Sequence, residues 1–530
     1  VGAVEENVAS ALRSIEEARR EGCDLVVFPE LALSGYFPFD LVWRPGFVAR
    51  VERGVRNIAK ASRGIGVIVG GISARPRKGA VNRTDPSSVA DGAAEELSNS
   101  AFFLADGKLL LEQAKLHLPS FDVYGEERYF TPGAGTQVFD FRGRRLGVTI
   151  CEDLWVDDGP VETQASLGAE IVINISASPF FAGKGAIRRR LGARRAEENG
   201  VFLLYVNRVG GQDELVFDGG SFLVDREGDL LFQAPYFDEG LFVLDLDRLA
   251  PLEAPREDPI DLVRRAIILG IRDYVTKNGF SHVLVGLSGG IDSALVAALA
   301  VEALGPKAVT GVSLPSAITA PENQEDAREV ARRLGIALVE VPIEGVVDAC
   351  RRALPRRPSG VTDENLQARA RGTLLMALAN ERSALVLVTG NKSEIAVGYN
   401  TLYGDTAGAL APIADLYKTE VYKLGRSLGE RIPARVREKP PTAELRPGQR
   451  DEDDLPPYSL LDPLLSELVE RNASRADLVA RGFDEEVVGE TLARYYRSEY
   501  KRRQFPPGIK VSPKAFGIGR RIPLTHSWRD

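Results

Sequence analysis

Three cysteines and three histidines in 530 residues leave little room for two common kinds of chemistry. Cys23, Cys151 and Cys350 are too few for a disulfide framework and their spacing fits no zinc site, so a reducing cytoplasm is the expected setting. With only His117, His282 and His526 available, acid–base work is expected to rest on carboxylates or lysine. No apolar run approaches the length of a membrane span. An excess of basic residues is also missing. Lys+Arg number 67 against 75 Asp+Glu, and the net charge of −8 offers no general attraction for nucleic acid or an anionic membrane. The opening VGAVEENVASALRSIEEARREG puts Val4, Val8, Leu12 and Ile15 on one helical face with acids between them, unlike a signal or transit peptide. It does not begin with methionine, so a segment before it is expected.

What is present describes a multidomain globular chain, 44% hydrophobic and 27% charged, long enough for roughly two to four domains. Residues 1–248 alternate short apolar strands (CDLVVFPE, GVIVGGIS, LGVTICED, EIVINIS, VFLLYVN) with helical patterns, an α/β arrangement. The polar, aperiodic stretch 75–100 reads as a long surface insertion. LAPLEAPREDPI, residues 249–260, is proline-rich and acidic and reads as a linker. Residues 261–530 form a second α/β unit, with strands expected at 283–287, 308–314, 337–341 and 385–389 separated by helices. That order predicts a doubly wound parallel sheet with ligands at the strands' carboxyl ends. Residues 438–458 read as a mobile loop too polar to be core, and no repeat of solenoid period is visible.

SGGIDS, residues 288–293, joins an apolar strand to an alanine-rich helix. Gly289 and Gly290 let the backbone approach a ligand, while Ser288 and Ser293 offer hydroxyls at a helix N-terminus, which suits phosphate. The loop is neither a Walker motif nor G-x-G-x-x-G. Asp292 would repel a phosphate unless a cation lay between them, which suggests Mg²⁺. A glycine turn capped by Ser and Asp is the plain alternative. In the first half, Glu30 abuts an apolar strand, Cys151 follows another, and Lys115 lies in EQAKLHLPS. A lone cysteine after a strand is more often a small core residue, and a lone lysine more often solvated. Together, however, acid, amine and thiol are the set amide hydrolysis requires: Glu30 takes the thiol proton, Cys151 attacks the carbonyl and Lys115 holds the oxyanion.

These three segments resemble the Glu–Lys–Cys set of the nitrilase, or carbon–nitrogen hydrolase, superfamily, whose fold is an α-β-β-α sandwich. YGEERYFTPG resembles that family's further acidic segment, which makes Glu126 the matching carboxylate. NISASPFFAGK resembles the segment that holds substrate in glutamine-using members, implying Ser178 and Lys184. The glutamine-binding set would also include Phe121, where such relatives usually carry tyrosine. The likeness spans most of residues 1–248, with the chain expected to start after the family's first strand.

SGGIDS itself resembles the pyrophosphate loop of ATP pyrophosphatases, of the adenine nucleotide alpha hydrolase-like fold, which activate a carboxylate or carbonyl by adenylation. ENLQARARGTLLMALAN, LVTGNKSEIAVGYNTLYGD, PIADLYKTEVYKLG, KPPTAEL, DEDDLPPY and PPGIKVSPKAFG resemble the NAD synthetase family along nearly all of 260–520. Joined to the nitrilase-like half, the whole is similar to the glutamine-dependent NAD synthetases. The resemblance implies that Gly286, Leu287, Ser288, Gly289, Gly290, Ile291, Asp292 and Ser293 bind ATP, with Thr389, Lys418 and Thr442. It implies that Asp292 and Glu394 hold Mg²⁺. Asn365, Arg369, Glu394, Tyr399 and Lys501 would lie against deamido-NAD, the nicotinic acid dinucleotide. Read as residues alone, Arg369 and Lys501 belong to an ordinary solvated charged face. One departure is SLPSAITAPENQEDA, where relatives more often carry an Arg/Lys-Tyr-Ser-Ser stretch. The implied partners are small molecules (glutamine, ATP and deamido-NAD), with no nucleic acid, no membrane, and assembly as a homo-oligomer. Two competing readings stand beside this one. The ATP half could modify a nucleic acid, although no basic aromatic groove is evident, or the first half could be a scaffold that merely docks the second.

Overall fold

The computed structural model describes residues 1–44, 46–76, 95–442, 444–446 and 448–528. They form two compact units, one of Val1–Gln212 with Phe217–Glu257 and the other of Asp213–Val216 with Asp258–Asp530.

In the first unit, β1 (Leu25–Val27), β2 (Gly66–Pro76), β3 (Glu95–Ala105) and β4 (Lys108–Ala114) make one sheet in that order. β1 and β2 run parallel and the other pairs antiparallel. The second sheet has the order β12-β11-β8-β7-β6-β5, built from β5 (Val138–Phe141), β6 (Arg144–Ile150), β7 (Ile171–Ser176), β8 (Phe202–Asn207), β11 (Phe222–Val224) and β12 (Leu230–Gln233). Between β8 and β11 in sequence, β9 (Val209–Gln212) and β10 (Leu215–Asp218) form a two-stranded ribbon, with Leu215 and Val216 counted in the second unit. The sheets pack face to face through Ile68, Phe103 and Leu111 on one side and Val148, Ile150, Ile171, Ile173 and Ile175 on the other. Because side chains alternate along a strand, Val172 and Leu203 turn the opposite way, into the helix layer. Burial on both faces explains why β7 is apolar nearly throughout. Helices α1 (Val4–Arg20) and α2 (Phe47–Ala61) cover the first sheet, and α3 (Pro160–Ser166) and α4 (Lys184–Asn199) the second. The result is an α-β-β-α sandwich.

Two sequence expectations need correction here. The insertion read over 75–100 is strand at both ends, since β2 and β3 pair in register from Val67↔Leu104 to Pro76↔Glu95. A strand's end carries few apolar side chains, so its alternation is hard to see; the remainder, 77–94, lies outside the described residues. Glu30 is not the last residue of its strand, because β1 stops at Val27 and Glu30 follows in the turn.

In the second unit, β13 (Val283–Gly286), β14 (Val309–Ser313), β15 (Ala337–Glu340) and β16 (Leu385–Leu387) form a wholly parallel sheet of order β15-β14-β13-β16. The chain winds outward from β13 to β15 and then switches to the other side of β13. Doubly wound sheets bind ligands at the carboxyl ends beside such a switch. The helices are α5 (Pro259–Lys277), α6 (Ile291–Leu304), α7 (Pro321–Leu334), α8 (Glu344–Ala353), α9 (Val361–Arg382), α10 (Lys392–Val397) and α11 (Lys418–Ser427), with further helices toward the C-terminus. Every residue of α6 from Ser293 to Ala300 is buried, as expected of a helix apolar all round. α5 begins at Pro259, where the Ile260 N–H donates to the Asp258 carboxylate at 3.0 Å, so the last residues of the expected linker are helical.

The segment 438–458 is also corrected. Gln449, Asp451, Leu455 and Tyr458 are buried. Part of its charge is taken up internally: Arg446 pairs with Asp454 at 2.9 Å, and the Tyr458 hydroxyl donates to Asp451 at 2.9 Å. Polar composition excludes a segment from the interior only when the polar groups lack partners. Residues 443 and 447 lie outside the described residues.

Candidate active sites

Cys151 is the first residue after β6 and holds a backbone φ of +46°, in the left-handed region that a residue with a side chain rarely occupies. Strain of this kind gathers at functional sites, because surrounding contacts must hold it. Asp153 supplies them. This buried carboxylate accepts the N–H groups of Ile150 at 3.1 Å, Leu116 at 3.1 Å and His117 at 2.9 Å, tying the cysteine turn to the segment that follows Lys115.

Lys115 and Glu30 are both fully buried, as is Glu126. The Lys115 ammonium donates to Glu30 Oε1 at 2.8 Å and to Glu126 Oε1 at 2.7 Å. Asn99 bridges the same two carboxylates at 2.7 and 3.3 Å, the Tyr36 hydroxyl donates to Glu126 at 2.9 Å, and the Ala177 N–H fixes the other oxygen of Glu30 at 2.7 Å. Two acids thus face one base in a site without water contact. Burial pushes the Glu126 carboxyl up, an effect Lys115 opposes and Glu30 reinforces. Burial and then the Glu30 charge push the Cys151 thiol well above its ordinary value, against the pull of Lys115. A thiol so placed ionises only as its proton leaves, which calls for a base alongside it.

Phe121 is 57% exposed and lines a cleft of about 490 Å³ together with Leu116, His117, Glu127, Glu152 and Val156. Glu152, next to the cysteine, thus joins the cleft to the buried set. Lys184 opens α4, its ammonium 5.1 Å from the Trp155 ring and 4.8 Å from the Phe181 ring. Ser178 is buried. Its N–H donates to Asn207 Oδ1 at 2.9 Å, and its carbonyl accepts Asn207 Nδ2 at 3.2 Å. Asn207 rests on the buried Arg188–Asp218 pair, joined at 2.6 and 2.8 Å. Sequence reasoning missed Tyr36, Asn99, Asp153 and Asn207. Asp153 stood two residues past the cysteine as a signal, whereas the others carry none that a single sequence displays.

In the second unit the turn 288–293 is closed on itself. The Gly290 N–H donates to Ser288 Oγ at 3.2 Å, and the Ser293 hydroxyl donates to the Gly290 carbonyl at 3.1 Å. Gly289 has φ +78°, and a Cβ there would fall 2.3 Å from the Asn323 carbonyl oxygen, so only glycine fits. Gly286 and Leu287 lead into the turn, and Ile291 begins α6. Asp292 accepts Lys418 Nζ at 2.6 Å and Asn391 Nδ2 at 3.0 Å, while Glu394 accepts the same ammonium at 3.1 Å. Burial pushes Glu394 up, with Lys418 opposing; burial lowers Lys418, but Asp292 and Glu394 outweigh it and hold the ammonium well above its usual value. Among the described residues no group of three or more His, Cys, Asp and Glu gathers to hold a metal ion. Thr389 follows β16, one strand from the turn and on the switch side. Thr442 is exposed, and its hydroxyl oxygen accepts the Glu444 N–H at 3.1 Å.

The residues expected near the dinucleotide come together on 398–402. Asn365 accepts the Thr401 hydroxyl at 2.6 Å, Arg369 donates to the Leu402 carbonyl at 3.1 Å, and Lys501 donates to the Gly398 and Asn400 carbonyls at 2.7 and 2.6 Å. The Tyr399 hydroxyl donates to Asp454 at 3.3 Å and accepts Gln449 Nε2 at 3.2 Å. Lys501 is therefore no freely solvated charge, and burial lowers its pKa. Two buried contacts escaped the sequence reading. Lys392 is bound to Asp415, Glu470 and Ser512 at 3.0, 3.0 and 2.7 Å, and Asp462 accepts the Ser393 hydroxyl at 2.5 Å and the Thr419 N–H at 2.8 Å. The second ties α10, which carries Glu394, to α11, which carries Lys418.

Residues 2–251 match the family model for carbon–nitrogen hydrolase and residues 263–505 that for NAD synthase. The chain is 44% identical over 548 residues to a glutamine-dependent NAD(+) synthetase of Xylella fastidiosa, covering 100% of this chain and 97% of the relative. It is 41% identical over 555 residues to one of Synechocystis, with the same two coverages. Among solved structures it is similar to the glutamine-dependent NAD+ synthetase of Acinetobacter baumannii in complex with ADP, with a TM-score of 0.77, 36% identity, and coverage of 99% of this chain and 96% of that one.

Proposed function

The chain belongs to the glutamine-dependent NAD(+) synthetases, and from that premise we propose how its own residues divide the work. In the first unit Glu30 accepts the thiol proton as Cys151 attacks the carboxamide carbon of glutamine. Lys115 stabilises the oxyanion, Glu30 passes the proton to the amide nitrogen, and the carbon–nitrogen bond breaks to release ammonia and leave a thioester on Cys151. Glu126 shares the Lys115 ammonium and so keeps that donor aimed. Phe121, Ser178 and Lys184 hold the rest of glutamine. Water then releases glutamate and restores the thiol.

In the second unit the turn from Ser288 to Ser293, with Thr389, Lys418 and Thr442, holds ATP. Asn365, Arg369, Glu394, Tyr399 and Lys501 hold deamido-NAD. The substrate carboxylate becomes an acyl-adenylate as pyrophosphate leaves, and ammonia then displaces AMP to give NAD. Neutral ammonia is the nucleophile, so releasing it from glutamine avoids drawing on a pool that is mostly ammonium at neutral pH. Asp292 and Glu394 suit Mg²⁺. Their oxygens converge on a single ammonium, so the pair already accommodates positive charge, and Mg²⁺ uses one or two carboxylates together with substrate phosphates. When bound there it would offset the charge between Asp292 and the phosphates.

The reading is carried by one observation: a strained, buried cysteine beside a fully buried Glu–Lys–Glu set, in the same chain as a glycine turn at the switch of a parallel sheet. Its test is a product assay with ATP, Mg²⁺ and deamido-NAD, comparing glutamine with ammonium. NAD, AMP and pyrophosphate in equal amounts are expected from either nitrogen source; RNA-stimulated ATP turnover without NAD would favour the nucleic-acid alternative. Cytoplasmic location and assembly as a homo-oligomer are inferred from the family resemblance, and light scattering tests the latter.

A further inference from the structure

One cation at the carboxyl edge of the second sheet has no carboxylate in ion-pair contact among the described residues. Arg371 lies on α9 and is partly buried. Its Nε donates to the Leu314 carbonyl at 3.0 Å and its Nη2 reaches the Ser316 hydroxyl at 3.5 Å, which uses one edge of the guanidinium and leaves Nη1 without a partner among the described residues. Leu314 follows β14, and Gly286 pairs with Val312. Ser288 follows β13 as Leu314 follows β14, so the phosphate turn and the Arg371 contact both lie beyond the carboxyl ends of two adjacent parallel strands.

The neighbouring cations are already neutralised. Lys418 is taken by Asp292 and Glu394, and Lys439 by Asp326 at 2.8 Å. Glu444 is the acid that acts on Arg371, yet its Oε1 is already taken up by the Ala320 N–H at 2.9 Å and Asn323 Nδ2 at 2.6 Å. Burial, only partly offset by Glu444, pulls the guanidinium below its usual pKa. A desolvated guanidinium is stable only with a counter-charge, and its planar fork matches a phosphate bidentately.

We propose that Arg371 binds a phosphate group of a nucleotide substrate, its open edge completing the cradle begun by the turn from Ser288 to Ser293. The proposal rests on the reading of the second unit as the nucleotide site. Two substrates carry phosphates, ATP and deamido-NAD, and the experiment separates them. Arg371→Gln and Arg371→Lys are made in the full chain, and the affinity for each nucleotide alone is measured by calorimetry with Mg²⁺, beside the melting temperature. Arg371→Gln is expected to weaken one of them about 10- to 100-fold, the size of a charge-assisted pair. Arg371→Lys, which keeps charge but loses the fork, is expected to fall between it and the wild type. Weaker ATP binding assigns the contact to ATP, and weaker dinucleotide binding to the other substrate. Unchanged affinity for both in variants that bind and fold overturns the proposal while leaving the site reading intact, and a lowered melting temperature with unchanged affinities shows a purely structural arginine. Failure of the wild-type protein to bind either nucleotide overturns both.

Discussion

Lys115→Met removes the one positive charge between two buried carboxylates. The lysine lies 2.8 Å from Glu30 and 2.7 Å from Glu126, and all three side chains are fully buried. Breaking a buried pair by removing one partner typically costs about 3–5 kcal/mol, because the charge left behind is uncompensated. Here the loss is limited, since burial already pushes Glu126 up and that carboxyl can take a proton and become neutral once the ammonium is gone. A stability loss near the lower end of that range is therefore expected. Turnover suffers separately. On the proposed mechanism the ammonium aims at charge that develops in the transition state, and losing one such donor costs about 10²- to 10³-fold in kcat. The assay is glutamate release, with ammonium-driven NAD synthesis by the same variant as the control for folding. A large fall in glutaminase kcat at near-constant KM, with ammonium-driven synthesis retained, is expected. A raised KM for glutamine with kcat within about threefold of wild type, less than any single oxyanion donor removed elsewhere, would refute the oxyanion role and make Lys115 a binding residue.

Asp292→Asn should still fold, because Glu394 remains to pair the Lys418 ammonium, yet lose NAD synthesis from either nitrogen source, measured as AMP formation; near-normal AMP release would remove Asp292 from the cation site. Gly289→Ala places a Cβ 2.3 Å from the Asn323 carbonyl at a positive φ, so ATP affinity should fall sharply with a lowered melting temperature, and wild-type values of both would contradict the close approach. The acid limb of the glutaminase pH profile should lie above the ordinary carboxylate range of about 4.3. Burial raises Glu126, so its protonated form persists to higher pH and activity disappears as pH falls through that raised value; Glu126→Gln should move the limb.

The strands that build both sites are legible because they are buried on two faces. Ile171–Ser176 and Val283–Gly286 read as apolar runs whatever surrounds them. β3 and β4 are harder to see. Leu109 and Leu110 in β4 are consecutive and both exposed, at 49% and 56%, so the period of two is broken where the strand needs it. Of the candidate catalytic set, Glu30 and Cys151 stand out because each lies close after an apolar strand, and Lys115, which follows the less legible β4, is singled out as the amine that completes the acid–amine–thiol set. Glu126 has no such signal and is visible only through family resemblance. Asn99, Asp153 and Asn207 act through partners from 3 to 69 residues away, and those pairings exist only once the sheets have formed. The segment 438–458 misleads for the opposite reason, since charges that pair with one another look like charges that face water. Arg371 shares that disguise, as one arginine among several on a helix that carries a polar face.

Cys151→Ala tests the division of labour most directly, by comparing NAD formation from glutamine with NAD formation from high ammonium at mildly alkaline pH. Without the thiol no bond to the glutamine carbonyl can form, while the turn from Ser288 to Ser293 needs only ammonia. Loss of glutamine-driven synthesis with ammonium-driven synthesis preserved is expected. A core cysteine would give a modest, equal loss from both sources, the effect of a small cavity. Unimpaired synthesis from glutamine would contradict the assignment of Cys151 as nucleophile.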